Sequence, residues 1–426
     1  MHYFNYRDKE LYCEDVPVSL IADQVGTPLY LYSRKTLERH YRVFEEPFSS
    51  VDHIICFSVK ACSNLAILRV FGNLGGGMDI VSGGELYRAL KAGADPSRIV
   101  YSGVGKRASE MDEALTADIL MFNVESEDEL DLLDQRAEAL GKRARIALRV
   151  NPDVDPLTHP YISTGLRKNK FGIDVARSVS IYQRAVQMKG VDPVGVACHI
   201  GSQLTELAPI LETVERLREL IERLRSQGIE IRYLDIGGGL GIPYDSEEPP
   251  LPKEYGTAIV EKLIDMNLTL ILEPGRILAG NAGILVTRVL YRKQGEEKNF
   301  VVCDAAMNDL IRPSLYDAHH AIWTVKKPDT EPLSDTKIVA DLVGPICETG
   351  DFIARSRRMD PVPAGDLLAV MSAGAYGFSM SSNYNSRVRA AEVIVDGDEF
   401  SVIRDRETYA DLVRGERIPT AILQTG

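Results

Sequence analysis

Lys60 stands at the end of an apolar run and is the most informative residue of this sequence, because its amine could do covalent chemistry. The run 53–59 reads HIICFSV, and its β-branched and aromatic residues predict a buried strand. Burial removes water from an ammonium group, so we expect a lowered pKa and a nucleophilic free amine. Such an amine can form a Schiff base with a carbonyl compound. The alternative is that Lys60 only caps a strand at the surface, where most lysines lie.

Two later segments carry groups that suit a phosphorylated heterocycle. In GGGLG (237–241), the residues Gly237, Gly238 and Gly239 leave their backbone N–H groups open to a phosphate, although the run could also be a plain tight turn. In EPGR (273–276), Arg276 can hold an anion through its fork of donors. Glu273 could keep a pyridine nitrogen protonated, as pyridoxal phosphate chemistry requires. The alternative is a surface ion pair between Glu273 and Arg276.

A histidine and a serine share the motif CHIGSQ (198–203), which ends another apolar run. His199 could stack flat on a cofactor ring, although a lone histidine is as often structural. Ser202 lies in the same loop and could donate a hydrogen bond to a phosphate. The motif therefore adds two candidate cofactor contacts to the glycine run and to Arg276.

Five polar residues much later in the chain could complete a site. Cys347 lies in GPICETGD (344–351), where glycine, proline and acidic neighbours predict a loop. An isolated cysteine is usually a small buried hydrophobe, but a thiol in a loop could donate a proton. Glu348 adjoins it. Arg312 and Tyr316, in RPSLY (312–316), add a cation and a phenol, and Tyr376, in SAGAYG (372–377), adds a second phenol.

The elements that must position these residues repeat regularly. Amphipathic helical stretches separate most of eight short apolar runs; in the clearest, 126–140, we predict Ser126 as N-cap, Glu129 at the capping-box position and Gly141 at the end. Eight strand–helix units in series predict an α/β fold, a (β/α)8 barrel, with an open doubly wound sheet as the runner-up. The predicted strands are 54–59, 78–81, 99–101, 119–124, 146–150, 194–200, 233–236 and 268–272.

The candidate residues follow these predicted strands. Active sites of such barrels lie at the C-terminal strand ends, and phosphate often binds the loops after strands seven and eight. Those two loops here carry GGGLG and EPGR. The pattern therefore brings Lys60, His199 and Glu273 to one barrel mouth.

The remainder of the chain predicts a second, β-rich domain. After about residue 280 the sequence changes to short β-type runs with turns between them. The run 28–32 precedes the barrel and could pair with that later sheet. We therefore predict a barrel domain at 36–280 and a discontinuous β-rich domain formed by 1–35 and 281–426.

Composition limits the possible partners. The 426 residues are 45% hydrophobic and carry a formal charge of −13, so binding to nucleic acid or another polyanion is not expected. We find no apolar run long enough for a membrane span and no signal peptide pattern. The six cysteines are scattered and lack metal-ligand spacing, so we predict no metal site and a reduced, cytoplasmic protein.

Seven of these segments together resemble the diaminopimelate decarboxylases, within the alanine racemase-like group (fold type III) of pyridoxal phosphate enzymes. Each segment is short, but their order across nearly the whole chain makes the set specific. The segments are FSVKA (57–61), HIGSQ (199–203), DIGGGLG (235–241), EPGR (273–276), RPSLY (312–316), CETGD (347–351) and AGAY (373–376).

The resemblance implies pyridoxal 5'-phosphate as cofactor and a homodimer with shared active sites. Lys60 would carry the cofactor as a Schiff base, and Cys347 would supply a proton from the partner subunit; these are the implied catalytic residues. His199 would stack on the ring and Glu273 would face the ring nitrogen. The other implied cofactor contacts are Ser202, Gly237, Gly238, Gly239, Gly275, Arg276 and Tyr376, and the implied substrate contacts are Arg276, Arg312, Tyr316, Glu348 and Tyr376.

The implied reaction converts meso-2,6-diaminopimelate to L-lysine and CO2, the last step of lysine biosynthesis. Arg276 and Arg312 match the distal carboxylate of that substrate, and Glu348 matches its distal ammonium. The alternatives are a same-fold decarboxylase of ornithine, arginine, lysine or carboxynorspermidine, an alanine racemase, and a non-enzymatic cofactor carrier. Ornithine-type enzymes resemble Cys-Asp rather than Cys-Glu at 347–348, and the carriers are short barrels without a β domain.

The chain departs from the family pattern in two places. RVRAAE (387–392) lacks the prolines that the family usually has there, and Cys62 stands where many members have asparagine. The first departure bears on the rigidity of a loop, and both are compatible with the implied chemistry.

Overall fold

The chain folds into two compact units. The computed structural model describes residues 2–155, 170–328 and 337–423. The first unit comprises Ser33–Gly283 and Gly374–Ser379 with the N-terminal residues as far as Tyr3, and the second comprises Phe4–Tyr32, Ile284–Ala373 and the chain from Met380 onward. The domain limits expected from the sequence, 36–280 for the barrel and 1–35 with 281–426 for the β-rich domain, stay a prediction.

A closed barrel of parallel strands forms the centre of the first unit, which confirms the predicted (β/α)8 fold. The last barrel strand pairs with the first, with Ile271 opposite Ile54 and Leu272 opposite Ile55. An open doubly wound sheet is therefore excluded, since its outer strands would lack this pairing. The barrel strands are His53–Ser58, Gly77–Ile80, Ile99–Tyr101, Met121–Val124, Ala144–Asn151, Val191–Ala197, Tyr233–Asp235 and Thr269–Leu272.

The barrel strands are buried on both faces, which explains why they are apolar runs rather than alternating patterns. Ile54 and Cys56 pack inside with Val100, Ala147 and Ile271 in one core cluster. The intervening strand residues point outward toward the surrounding helices, as successive side chains of a strand must. The short strand Ile173–Asp174 pairs alongside the fifth barrel strand.

Helices alternate with the barrel strands. The predicted cap at Ser126 is confirmed, because its side chain accepts a hydrogen bond from the Glu129 backbone N–H, 3.2 Å away. Gly141 follows that helix with φ +63°, a conformation that glycine adopts easily. The helices of this unit are Arg34–Glu45, Leu65–Asn73, Gly83–Lys91, Ala108–Ala117, Glu127–Ala139, Val175–Gln187, Ala208–Ser226, Pro252–Leu263 and Arg276–Ala279, with 3₁₀ turns at Glu46–Phe48, Val59–Ala61, Pro96–Arg98 and Gly280–Ala282.

The second unit is rich in β-structure, as predicted. Strand Leu29–Ser33 lies between Gly283–Gln294 and Ala391–Asp396 in one sheet, so the predicted pairing of the early run with the later sheet is confirmed. The core of this unit includes Leu29 and Leu31. The other strands of the two sheet systems are Phe4–Arg7, Glu10–Cys13, Val16–Pro17, Asn299–Cys303, Ile322–Thr324, Ile338–Val343, Ala354–Met359, Leu367–Val370 and Glu399–Arg404.

A small three-stranded sheet at the N-terminus was not predicted. It is formed by Phe4–Arg7, Glu10–Cys13 and Val16–Pro17, whose strands are too short for a clear alternating pattern. The helices of the second unit are Val18–Val25, Arg312–Tyr316, Tyr409–Leu412 and Thr420–Leu423, and 3₁₀ turns occur at Phe378–Met380 and Tyr384–Ser386. Within the described ranges, none of the helices has the length and apolar character needed to cross a membrane.

Candidate active site

Lys60 lies in the 3₁₀ turn directly after the first barrel strand. Its Nζ donates to Oδ2 of Asp79, 2.7 Å away, and about a third of the side chain is exposed, at 36%. Desolvation lowers the pKa of Lys60, but the charge and the hydrogen bond of Asp79 raise it more, so the pKa lies above its ordinary value. The expected lowering of the Lys60 pKa is therefore wrong, because the Asp79 carboxylate pairs with the ammonium.

Asp79 joins the first two barrel strands to the eighth. Besides Lys60, its Oδ2 accepts a hydrogen bond from Ser58 Oγ at 2.7 Å. Ser58 Oγ also lies 3.0 Å from the backbone carbonyl oxygen of Glu273. Asp79 is fully buried, so its carboxylate depends on these donors in place of water.

Glu273 and Asp235 form a pair of buried carboxyl groups at the barrel mouth. Asn123 Nδ2 donates to Oδ2 of Asp235 at 2.8 Å and lies 3.4 Å from Oε1 of Glu273. Ser102 Oγ donates to the same Glu273 oxygen at 3.1 Å. Burial and the neighbouring Asp235 raise the pKa of Glu273 well above its usual range, and burial raises the pKa of Asp235 to about 6.

His199 follows the sixth barrel strand and is neutral. Its Nδ1 accepts a hydrogen bond from the backbone N–H of Gly238 at 3.2 Å, which assigns the ring proton to Nε2. Burial lowers the pKa of His199 well below its usual value, and the cations Arg149 and Lys60 lower it further. Arg149 also donates to the backbone oxygen of His199 at 3.4 Å and to Glu125 at 2.7 Å. The imidazole is therefore held in one tautomer beside the cavity.

The glycine run after the seventh strand is required by close packing. A Cβ on Gly238 would lie 2.1 Å from the Glu273 carbonyl oxygen, and one on Gly239 would lie 2.3 Å from that of Gly201. Gly237 has φ +70°, and its N–H donates to Oδ1 of Asp235 at 2.9 Å. The N–H groups of Gly237 and Gly238 thus donate within the protein, so their contact with a phosphate stays a prediction.

Arg276 forms a polar cluster with groups from three neighbouring loops. Its guanidinium donates to Tyr244 OH at 2.7 Å and to Ser202 Oγ at 3.1 Å. The same guanidinium lies 4.8 Å from the centre of the Tyr376 ring, and the backbone N–H of Tyr376 donates to Ala61 O at 2.8 Å. A hydroxyl and a guanidinium so close together suit an anion such as a phosphate.

Gly275 is where the loop after the eighth strand approaches the loop after the first. A Cβ at Gly275 would lie 3.0 Å from that of Ala61 and 3.1 Å from that of Ser58. This approach keeps the Glu273–Arg276 segment close to the Lys60 turn. Gly275 therefore contributes through its small size rather than through a polar group.

One cavity of about 400 Å³ brings three of the barrel candidates together. Lys60, His199 and Glu273 all line it, and it has the size of a small-molecule site. The remaining lining residues are Val81, Ser102, Gly103, Val104, Gly105, Asn123, Arg149, Phe171, Ala197 and Cys198. An amine, an imidazole and a carboxyl group thus share one enclosed space.

Arg312 lies in the second unit and is oriented by a histidine. Arg312 is buried, and its Nη1 lies 3.0 Å from Nε2 of His320. His320 Nδ1 donates to the carbonyl oxygen of Met371 at 2.8 Å, so its Nε2 is an acceptor for Arg312. This contact fixes the direction of the guanidinium.

Cys347 and Glu348 lie in an exposed loop of the second unit, as predicted for the cysteine. The backbone N–H of Cys347 donates to Asn385 Oδ1 at 2.9 Å, and Tyr384 OH donates to Glu348 at 2.8 Å. The helix Arg312–Tyr316, which ends with Tyr316, contacts this loop, since Ser314 Oγ donates to Gly350 O at 2.6 Å. The four second-unit candidates therefore occupy adjoining segments.

Several residues of these clusters were not among the predicted site residues. Asp79, Asn123 and Asp235 lie at or near the ends of barrel strands, so the rule that selected Lys60 could have selected them too. Tyr244 and His320 have no comparable signal, because each meets its arginine only through tertiary folding.

The chain matches known proteins over nearly its whole length. Residues 34–280 match the family model described as "Pyridoxal-dependent decarboxylase, pyridoxal binding domain". Diaminopimelate decarboxylase from Pseudomonas aeruginosa is 52% identical over 98% of this chain and 99% of that protein.

Two solved structures show the same architecture in both units. The crystal structure of diaminopimelate decarboxylase from m. jannaschii in co-complex with L-lysine has a TM-score of 0.93, 38% identity and 98% coverage of both chains. The Helicobacter pylori enzyme, also complexed with L-lysine, has a TM-score of 0.89 and 41% identity over 93% of this chain and 98% of that one. The chain therefore belongs to the diaminopimelate decarboxylases, within the pyridoxal-dependent decarboxylase family.

Proposed function

We propose that this chain decarboxylates meso-2,6-diaminopimelate to L-lysine and CO2 with pyridoxal 5'-phosphate as cofactor. The observation that carries the proposal is the barrel cavity lined by Lys60, His199 and Glu273, in a chain 52% identical to a diaminopimelate decarboxylase. An amine for covalent attachment, a flat imidazole and a buried carboxyl group are the groups that a pyridine aldehyde cofactor needs.

The residues of the barrel mouth fit this cofactor in three respects. Lys60 supplies the amine, and Ser202 with Arg276 forms a hydroxyl–guanidinium pair suited to the phosphate. Glu273 carries the group that would meet the ring nitrogen.

Bound pyridoxal phosphate supplies an electron sink for the pair released when the substrate carboxylate leaves as CO2. Lys60 must lose a proton before its amine can attack a carbonyl carbon, and the neutral His199 does not add a charge beside it. Asp79 orients the Lys60 amine through the 2.7 Å hydrogen bond. Cys347 returns a proton to the carbon that has lost CO2.

Substrate selection rests on the residues of the second unit in this proposal. Arg312, with Arg276, binds the distal carboxylate of diaminopimelate, and Glu348 binds its distal ammonium. Tyr316 and Tyr376 provide hydroxyl contacts. The L-lysine in the crystal structures from m. jannaschii and Helicobacter pylori has the chemistry of the proposed product. A substrate without a distal carboxylate would lose its charge pairing with these arginines, which costs affinity.

A homodimer with shared active sites is part of the proposal. In it, Cys347 and Glu348 act in the site of the partner subunit, which would explain why both side chains are exposed in the single chain. The six cysteines all lie in the described ranges and form no disulfide bonds there, which suits the reducing conditions of the cytoplasm as the proposed location.

A substrate panel on the purified holoprotein tests the reaction. We expect a yellow protein that releases CO2 from meso-diaminopimelate and much less from ornithine, arginine, lysine or carboxynorspermidine. Borohydride should reduce the Schiff base and leave the cofactor attached to a peptide containing Lys60. Preference for another amino acid would favour the same-fold alternative, and cofactor binding without CO2 release from any amino acid would favour the carrier.

A further inference from the structure

The carboxyl groups of Asp235 and Glu273 converge on one neutral donor. Asn123 Nδ2 lies 2.8 Å from Asp235 and 3.4 Å from Glu273, whose residues are only 1% and 6% exposed. The nearby ammonium of Lys60 donates to Asp79 instead. Two carboxyl groups this close in a buried site cannot both ionise freely, so the pair holds one proton.

The contacts of each group indicate which one holds the proton. Asp235 accepts two short hydrogen bonds, from Gly237 N–H at 2.9 Å and from Asn123 at 2.8 Å, and donors of this kind favour a charged carboxylate. Glu273 has longer contacts, from Ser102 at 3.1 Å and from Asn123 at 3.4 Å.

We propose that Asp235 is a positioning residue that keeps one proton on Glu273, ready for the ring nitrogen of pyridoxal phosphate. The inference deepens the proposed function and rests on it, since it requires Glu273 to face that nitrogen. When the cofactor binds, the O–H bond of Glu273 breaks and an N–H bond forms at the ring nitrogen. The Glu273 carboxylate then pairs with the pyridinium, and the solvent supplies no proton to the ring.

Other ionisable groups face this pair and do not supply the proton. Burial raises the pKa of the Cys56 and Cys198 thiols and of the Tyr255 phenol, so these three stay neutral. Burial lowers the pKa of His199, so its imidazole is also neutral. The charged groups nearby are the Lys60–Asp79 ion pair and Arg149, which is paired with Glu125.

Proton counting during cofactor binding tests the inference. The apoprotein is titrated calorimetrically with pyridoxal phosphate at about pH 9.5, where the ring nitrogen of the free cofactor is unprotonated. Two buffers of different ionisation enthalpy are used, and wild type is compared with Asp235→Asn. In the variant Glu273 lacks its anionic neighbour and ionises, so the ring proton must come from solvent. We expect up to about one additional proton taken up per cofactor, and an affinity that falls up to about tenfold more per pH unit than in wild type.

Ser102→Ala is the matched control. It removes a hydrogen bond to the same Glu273 oxygen without changing any charge. Losing a donor disfavours the carboxylate, so the proton stays on Glu273 and the proton count should equal that of wild type. Equal counts in Asp235→Asn and wild type would overturn the inference while both proteins still bound the cofactor. A wild-type protein that bound no cofactor would instead contradict the proposed function.

A second measurement needs no variant and covers the case in which Asp235→Asn does not fold. Infrared difference spectra of wild-type protein should show a protonated carboxylic acid band that disappears when pyridoxal phosphate binds. Its absence from the apoprotein, or its persistence after binding, would overturn the inference. The buried position of Glu273 places that band apart from the bands of exposed, ionised carboxylates.

Discussion

The barrel mouth and the Cys347 loop hold their polar groups in opposite ways. At the barrel mouth, Lys60, Asp79, Asn123, Asp235 and Glu273 are linked through hydrogen bonds, and all but the lysine are buried. In the loop, Cys347 and Glu348 are exposed, and the Glu348 carboxylate accepts a hydrogen bond from Tyr384 OH at the surface.

This difference shows that the two regions fix their polar groups by different means. Buried groups in a low-dielectric cluster set the protonation states of their neighbours, as Asp79 does for Lys60. The exposed loop is made rigid by its backbone, since both carboxylate oxygens of Asp351 accept backbone N–H groups, from Met307 and Ile346 at 2.8 Å each. In the proposed function, cofactor binding therefore belongs to the cluster, and proton delivery by Cys347 and binding of the distal ammonium by Glu348 belong to side chains presented by a fixed loop.

Replacing Lys60 should have the largest effect, because it removes the covalent attachment point from the cluster. We expect Lys60→Ala to lose decarboxylation completely and to purify without yellow colour. Lys91→Ala, which removes an exposed lysine of the same unit, should keep both. Turnover retained by Lys60→Ala would show that Lys60 is not required for decarboxylation. The measurements are CO2 release and the absorbance of the purified protein.

Replacing Cys347 should separate the two regions. Cys347→Ala removes the proposed proton donor, and loss of a general acid lowers kcat by about 10²- to 10⁴-fold. Cofactor affinity should not change, because no group of the barrel mouth is altered. Cys303→Ala, at a fully buried cysteine of the second unit, should affect stability rather than kcat. A Cys347→Ala protein that lost its cofactor would contradict the proposal that cofactor binding depends on the barrel mouth alone.

These two regions also differ in how well the sequence predicted them. The barrel and the positions of Lys60, His199 and Glu273 followed from apolar runs ending in polar residues, since parallel strands deliver their C-terminal ends to one mouth. The direction of the Lys60 pKa could not be predicted, because it depends on how close Asp79 comes. The partnership of Arg312 with His320 depends on the side chains of a tertiary fold and has no pattern in the sequence.

Replacing Arg312 should change substrate choice without a complete loss of activity. We expect Arg312→Met to lower kcat/KM for diaminopimelate by about 10- to 100-fold, since a hydrogen bond to a charged group contributes about 1.5–3 kcal/mol. Substrates without a distal carboxylate should lose less. Arg355→Met, which removes an exposed arginine of the same unit, should leave the ranking unchanged. An equal decrease of kcat/KM for diaminopimelate and ornithine would contradict a role of Arg312 in substrate specificity.

The smallest effect should come from Asp309, a buried carboxyl group of the second unit with no part in the proposed chemistry. Its Oδ2 accepts the Ala306 N–H at 3.0 Å, and burial raises its pKa to about 7. An unfolded aspartate titrates at about 3.9, so the folded state holds the proton more tightly. The stability that this proton contributes is complete below about pH 4 and is lost as the pH rises through about 7.

Asp309→Asn cannot ionise and keeps an acceptor for the same N–H group. We expect it to raise the unfolding temperature relative to wild type at about pH 8, where its free energy of unfolding should be larger by on the order of 1–3 kcal/mol, and to differ little at about pH 4. Asp398→Asn, at an exposed position of the same unit, should show no such pH dependence. An equal change in unfolding temperature at both pH values would mean that Asp309 acts through packing rather than through its charge.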